Sequence, residues 1–159
     1  MKKEVLLVLN NIRSNHNVGS IFRIADCVGA LKLFLVGVTP APLDRFNREV
    51  KEISKTALGA EKSVAYEKVN SFTSIIKRLK KNGFLIIAIE QSENSIDYKK
   101  VKLNKYQKVA FVLGEEVSGL SNKELSLCDI VAEIPMKGEK ESLNVSVATG
   151  VALFRILRI

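Results

Sequence analysis

Six short runs, each bounded by polar or glycine-containing chain, do most to limit how this sequence can fold. They are VLLVL (5–9), LKLFLVGV (31–38), SVAYEKV (63–69), FLIIAI (84–89), KVAFVLG (108–114) and DIVAEIP (129–135). Most are apolar at nearly every position instead of alternating, which is the pattern of strands covered on both faces. Between them, apolar residues recur at helical spacing. Ile21, Ile24, Ala25 and Val28 run up to Gly29 as a C-cap, Val50, Ile53, Ala57 and Leu58 close at Gly59, and Phe72, Ile75, Ile76 and Leu79 end at Gly83. The stretch TPAPLDRF (39–46) is kept irregular by its two prolines. A short helix is expected near 122–127, and LNVSVATGVALFRILRI (143–159) closes the chain as a helix apolar on nearly every side.

Strands alternating with single helices predict an α/β fold, a mostly parallel sheet with helices on both faces. The chain shows no internal repeat, low-complexity tract or linker, so residues 1–159 are expected to form a single domain. Cys27 and Cys128 match neither a C-x-x-C pair nor a zinc spacing, and the single His16 completes no ligand set. No metal is expected, and both thiols are expected to be reduced and buried. The N-terminal apolar run of five residues is too short for a signal sequence or a membrane span, so a cytoplasmic protein without membrane contact is expected. The net charge of +8, from 25 basic and 17 acidic side chains, suits either a polyanionic partner or a well-solvated surface.

Familiar nucleotide motifs are missing. No G-x-G-x-x-G follows the first strand, and GEEVSGLS (114–121) lacks the Lys-Ser/Thr of a phosphate-binding loop. In an open α/β sheet, ligands sit at the carboxyl ends of strands. Three polar segments fall there: NNIRSNHNVGSIFRIADCVG (10–29), LGEEVSGLSN (113–122) and IPMKGEKESLNVSVATG (134–150). Each has an ordinary reading. Arg23 faces away from the apolar side of its helix with Asp26 three residues on, Asn17 and Ser142 are possible N-caps, and Glu115 or Glu116 can be a solvated loop carboxylate. Those readings leave unexplained why all three segments gather where one pocket would be built.

NHNVGSIFRIAD resembles the first motif, N-x-G-x-I-x-R, of the SpoU family of RNA ribose methyltransferases. FVLGEEVSGLS resembles the second, G-x-E-x-x-G-L-S, and IPMKGEKESLNVSVATGVALF the third, I-P-M-x-G-x-x-x-S-L-N-V-S-V-A. The motifs run in family order across almost the whole chain, with TPAP and SKTALGAE between them also family-like. Ile24 stands where many members carry threonine.

The resemblance implies a C-terminal trefoil knot, a topology that general rules of chain threading disfavour. It implies S-adenosylmethionine bound in that knot by Ile89, Gly114, Ile134, Met136 and Leu143, and a catalytic set of Asn17, Arg23, Glu116, Ser142 and Asn144. Ser142 and Asn144 would point from the last helix's first turn into the pocket. The implied reaction moves a methyl group to a ribose 2′-hydroxyl of tRNA or rRNA. No appended RNA-binding domain is expected, and the apolar final helix implies a homodimer. Two rivals remain: a non-catalytic RNA-binding module, from charge alone, and a flavodoxin-like small-molecule enzyme, from the strand pattern alone.

Overall fold

The computed structural model describes residues 3–159. In chain order the elements are β1 (Glu4–Asn10), α1 (Asn15–Cys27), β2 (Lys32–Val36), α2 (Lys51–Ala57), α3 (Ala60–Ser63), β3 (Ala65–Val69) and α4 (Phe72–Lys81). They continue with β4 (Leu85–Ile89), β5 (Ile96–Asp97), a 3₁₀ turn (Tyr98–Lys100), β6 (Lys108–Leu113), α5 (Asn122–Leu125), β7 (Ile130–Glu133) and α6 (Val145–Leu157).

The strands form one seven-stranded sheet in the order β3-β2-β1-β6-β4-β7-β5, every pairing parallel. Side chains alternate between the faces as the pleat requires. Val5, Leu7 and Leu9 of β1 pack with Phe111 of β6 and Ile87 of β4 under α1, α2, α3 and α6. Leu6 and Val8, with Ala110, Val112, Ile86 and Ala88, pack under α4. Helices therefore cover both faces, which is why the central strands read as unbroken apolar runs. Truncating Leu7, fully buried in this core, to alanine is expected to cost about 2–5 kcal/mol. The chain steps outward from β1 to β3, jumps to β4 and returns to insert β6 between β1 and β4. That order puts the loops after β1, β6, β4 and β7 side by side at the carboxyl edge.

Several details depart from the sequence expectation. Helix α1 begins at Asn15, and its N-cap is Ser14, not Asn17. The four-residue α3 and two-residue β5 carry too few residues to show a period. Cys27 is exposed because it ends α1 on the side away from the sheet, while Cys128 is half-buried; both are free thiols. Helix α6 does not bury its whole circumference. Thr149, Ala152, Leu153 and Ile156 face the core, and Val147, Val151 and Phe154 form an exposed apolar stripe at i, i+4 and i+7. No helix among the described residues is long and apolar enough to cross a membrane.

Candidate functional site

The segment after β1 is held open by its neighbours. Asn11 adopts a left-handed conformation (φ 55°), and its side-chain oxygen accepts from the Val38 N–H at 3.2 Å. The buried Thr39 hydroxyl accepts from the Ile12 N–H at 3.1 Å and faces the carbonyls of Leu9 and Val36 at 2.9 and 2.8 Å. Asn10 donates to Glu124 at 2.8 Å, tying the strand end to the capping box of α5. From this fixed turn Ser14 caps α1 by accepting from the Asn17 N–H.

The segment after β6 doubles back on itself. A Cβ at Gly114 would lie 2.8 Å from both the Gly119 carbonyl carbon and Leu120 Cγ, so only glycine lets the two stretches touch. Gly119, at φ +63°, donates its N–H to Glu115 O at 3.0 Å, and a Cβ there would lie 2.4 Å from Glu90 Oε2. Glu90 itself accepts from the N–H groups of Gln91 and Leu120, at 2.9 and 3.2 Å, fastening the end of β4 to this loop.

The folded-back loop presents Glu116 to the start of α1. Its carboxylate accepts from the N–H groups of Arg13 (3.3 Å) and Ser14 (3.2 Å) and from Asn17 Nδ2 (3.1 Å). Partial burial works to raise the Glu116 pKa, but the donations from Asn17 and from backbone N–H groups outweigh it and hold the carboxyl below its ordinary value. Asn17 Oδ1 in turn accepts from Asn144 Nδ2 at 3.1 Å, and Asn144 caps α6 by accepting from the Ser146 N–H at 2.9 Å. One chain of hydrogen bonds, Asn144 to Asn17 to Glu116, thus links all three polar segments singled out in the sequence. Asn17 has both ends of its amide engaged.

Beside this chain lies a cleft of about 300 Å³, within the range of small-molecule sites. Ile89, Gly114, Ile134, Met136 and Leu143 all line it, and so do Glu116 and Ser142. Asn17 and Asn144 adjoin it through Glu116. Arg23 is exposed on the outer side of α1, outside the lining, and takes part in no ion pair among the described residues. Asp26 instead accepts from Ser63 Oγ at 2.8 Å. Ser142 and Asn144 precede the last helix and are not in its first turn: Asn144 is the N-cap, and Ser142 sits in the loop before it. The Ile24 side chain lies 3.7 Å from where a Cβ on Gly150 would be, so the residue that departs from the family pattern packs α1 onto α6.

Sequence reasoning missed Glu90, Gln91 and Glu141 in the cleft wall, where Gln91 Nε2 donates to Glu141 O at 2.7 Å. The signal for Glu90 was present: it is the first polar residue after an apolar strand, on the edge where ligands bind. The cleft lining combines apolar side chains, Ile89, Ile134, Met136, Leu143, Val145 and Ala148, with four carboxylates, Glu90, Glu115, Glu116 and Glu141. In a chain of net charge +8, this local excess of carboxylates favours a ligand with an apolar ring and a positive charge over phosphate.

The model of the SpoU rRNA methylase family matches residues 4–154. The 23S rRNA (guanosine-2′-O-)-methyltransferase RlmB of Ralstonia nicotianae is 34% identical over 158 residues, covering 97% of this chain and 58% of that protein. The tRNA (guanosine(18)-2′-O)-methyltransferase of Aquifex aeolicus is 31% identical over 157 residues, covering 99% of this chain and 70% of that protein. Among solved structures, the AdoMet-bound rRNA methyltransferase from Sinorhizobium meliloti superposes with a TM-score of 0.88 at 28% identity, covering 99% of this chain and 57% of that one. The chain spans less than two thirds of the length of two of these three relatives. With its three motif segments hydrogen-bonded around one cleft and a family match along nearly its whole length, the chain belongs to the SpoU rRNA methylase family.

Proposed function

We propose that the protein is an S-adenosylmethionine-dependent methyltransferase acting on a ribose 2′-hydroxyl of tRNA or rRNA. The observation that carries this reading is the cleft, lined by apolar side chains and glutamates and joined at Glu116 to the Asn144–Asn17–Glu116 chain. The relatives' names, which specify guanosine 2′-O-methylation of 23S rRNA and tRNA, support the reaction type. Bound S-adenosylmethionine would supply a methyl group already activated on a cationic sulfur. Ile89, Gly114, Ile134, Met136 and Leu143 would enclose its adenine, and the glutamates match its charge. A purely RNA-binding module has no use for a cleft that favours a cation over phosphate.

The remaining residues would act on the nucleotide. Ser142 and the Asn17–Glu116 pair fix polar groups at the cleft rim, where orientation of a poor nucleophile contributes several kcal/mol. Arg23 offers a planar fork of N–H donors and no acceptor, so its role is to hold phosphate and stabilise negative charge developing on the 2′-oxygen. Because Arg23 lies outside the lining of its own cleft, the proposal includes a homodimer. Pairing along the Val147, Val151 and Phe154 stripe of α6 would carry Arg23, on the neighbouring α1, toward the other subunit's cleft. The trefoil knot and a cytoplasmic location, where such RNAs reside, belong to the same proposal. The knot is supported by the late insertion of β6 and by the 134–143 segment sharing one cleft with the 114–119 loop.

Calorimetry with S-adenosylmethionine and S-adenosylhomocysteine is expected to give roughly micromolar affinity, about 8 kcal/mol. No heat at millimolar ligand with folded protein overturns the cofactor assignment. Methyl transfer from labelled cofactor to bulk tRNA and rRNA, with the labelled linkage resistant to alkali as a 2′-O-methyl must be, tests the reaction. Light scattering of Phe154→Asp beside the parent tests the dimer; a monomeric parent at micromolar concentration refutes it.

A further inference from the structure

The loop between β2 and α2 carries an exposed aromatic ring with two guanidinium groups close to it. Phe46 is 61% exposed, and the guanidinium carbons of Arg45 and Arg48 lie 4.7 and 4.9 Å from its ring centroid. The loop is fixed at both ends. Lys68 Nζ donates to the carbonyls of Gly37 and Thr39, and the Val50 N–H donates to Pro42 O at 2.9 Å. Its tip is organised by Asp44, whose carboxylate accepts from the N–H groups of Phe46 (2.8 Å) and Arg48 (3.0 Å) and from Arg48 Nε (2.9 Å). An Asp44–Arg48 ion pair at 2.8 Å completes the turn.

The two arginines are therefore unequal. Arg48 is committed to Asp44, whereas Arg45 takes part in no ion pair among the described residues. Lys51 and Lys55 are exposed one turn apart on α2, which follows the loop, with exposed Glu49 and Glu52 interleaved. The loop leaves the carboxyl end of β2, beside β1, whose own loop leads to Asn17. An exposed ring on a hydrogen-bonded turn, with the Arg45 guanidinium against it in no ion pair among the described residues, is the chemistry that binds unpaired nucleotides once the guanidinium swings to a phosphate: base on ring, phosphates on cations.

We propose that Phe46 is a stacking platform for an unpaired RNA base outside the cleft, with Arg45, Lys51 and Lys55 holding the flanking phosphates. The inference rests on the RNA reading above and assigns it a docking point away from the reacting nucleotide. Rigidity matters here, since the tip pays little ordering entropy on binding.

The test uses the full chain with S-adenosylhomocysteine present and two labelled probes of about twelve nucleotides, single-stranded oligo(A) and a duplex RNA. Phe46→Ala is expected to weaken the single strand about fivefold or more and leave the duplex unchanged. Arg45→Ala is expected to weaken both and to flatten the salt dependence by about one counterion. The chain has no tryptophan, so Phe46→Trp provides a lone reporter that should bind like the parent and lose emission when the base stacks on it. Phe46 is exposed on a loop, and these variants should melt as the parent does. Parental single-strand affinity in Phe46→Ala, unquenched Trp emission at saturation, or no oligo(A) binding by the parent each overturns the proposal. A fall in molecular mass for Phe46→Ala would also overturn it, marking the ring as a subunit contact. Cofactor calorimetry separates the failures: heat with S-adenosylhomocysteine leaves the methyltransferase reading standing when the stacking site fails, and no heat removes that reading first.

Discussion

Replacing Asn17 with alanine cuts the Asn144–Asn17–Glu116 chain at its centre and removes two side-chain hydrogen bonds, both 3.1 Å long. A neutral hydrogen bond contributes roughly 1 kcal/mol net, and one to a buried charge about twice that. Glu116 is exposed, so solvent screening reduces its bond toward the neutral figure, and the pair together should contribute about 1–2 kcal/mol. For a domain of this size that is a fall in Tm of roughly 2–6 °C. The loss should depend on pH. The folded-state pKa of Glu116 is depressed, so its contribution is present above the ordinary glutamate value, about 4.3, and disappears as pH falls through the folded value. The gap between parent and Asn17→Ala should therefore be largest near neutrality and shrink as the carboxyl is protonated. Thermal melts followed by circular dichroism across the acid limb measure this directly. In a Glu116→Gln background the Asn17 substitution should cost less than in the parent, because its partner's charge is already gone. Equal melting at neutral pH, a gap that ignores pH, or strict additivity of the two substitutions would refute the reasoning.

Arg23→Ala should leave stability within about half a kcal/mol, since the side chain is exposed and in no ion pair among the described residues, while turnover drops by roughly a hundredfold or more and cofactor affinity barely moves; full turnover sinks its assigned role. Gly119→Ala forces a left-handed alanine against Glu90 and should cost more than about 2 kcal/mol while weakening cofactor binding. Gly83→Ala, also at positive φ but facing open space, is the control, and an equal denaturant midpoint for the two variants would count against the Glu90 contact. Burial pushes the Cys128 thiol up to about 12, so iodoacetamide near neutral pH should modify exposed Cys27 and spare Cys128, as read by peptide mass spectrometry. By the same shift, the stability associated with neutral Cys128 is complete below the ordinary thiol value and is lost as pH rises toward about 12.

The sheet was legible because burial on two faces writes itself into sequence as runs such as VAFVL, and the gathering of Ile89, Gly114, Ile134, Met136 and Leu143 around one cleft was legible because the family motifs are contiguous. Positions decided by long-range partners were not. Nothing local to Ser14 or Asn17 says which one caps α1; the choice follows from Glu116, far along the chain, which accepts from the Ser14 N–H and draws the Asn17 side chain sideways. Likewise the mean apolarity of α6 hid its two unequal sides, since apolar residues stand on both: Ala152, Leu153 and Ile156, with Thr149, face the core, and Val147, Val151 and Phe154 face out. The cysteine expectation failed at Cys27 because a small apolar residue at a helix end is buried only if something packs there, and in this chain nothing does.

The late arrival of β6 bears on how the chain reaches this structure. β6 alone joins the β3-β2-β1 half of the sheet to the β4-β7-β5 half, through pairings such as Leu7 with Phe111 and Ile87 with Phe111. A ribosome that has released the first half of the chain has therefore released a β1 with one unpaired edge, and that edge waits until residues 108–113 emerge. Pairing across so large a sequence separation makes folding slow, and the same keystone position makes loss of the sheet cooperative, since freeing β6 parts both halves at once.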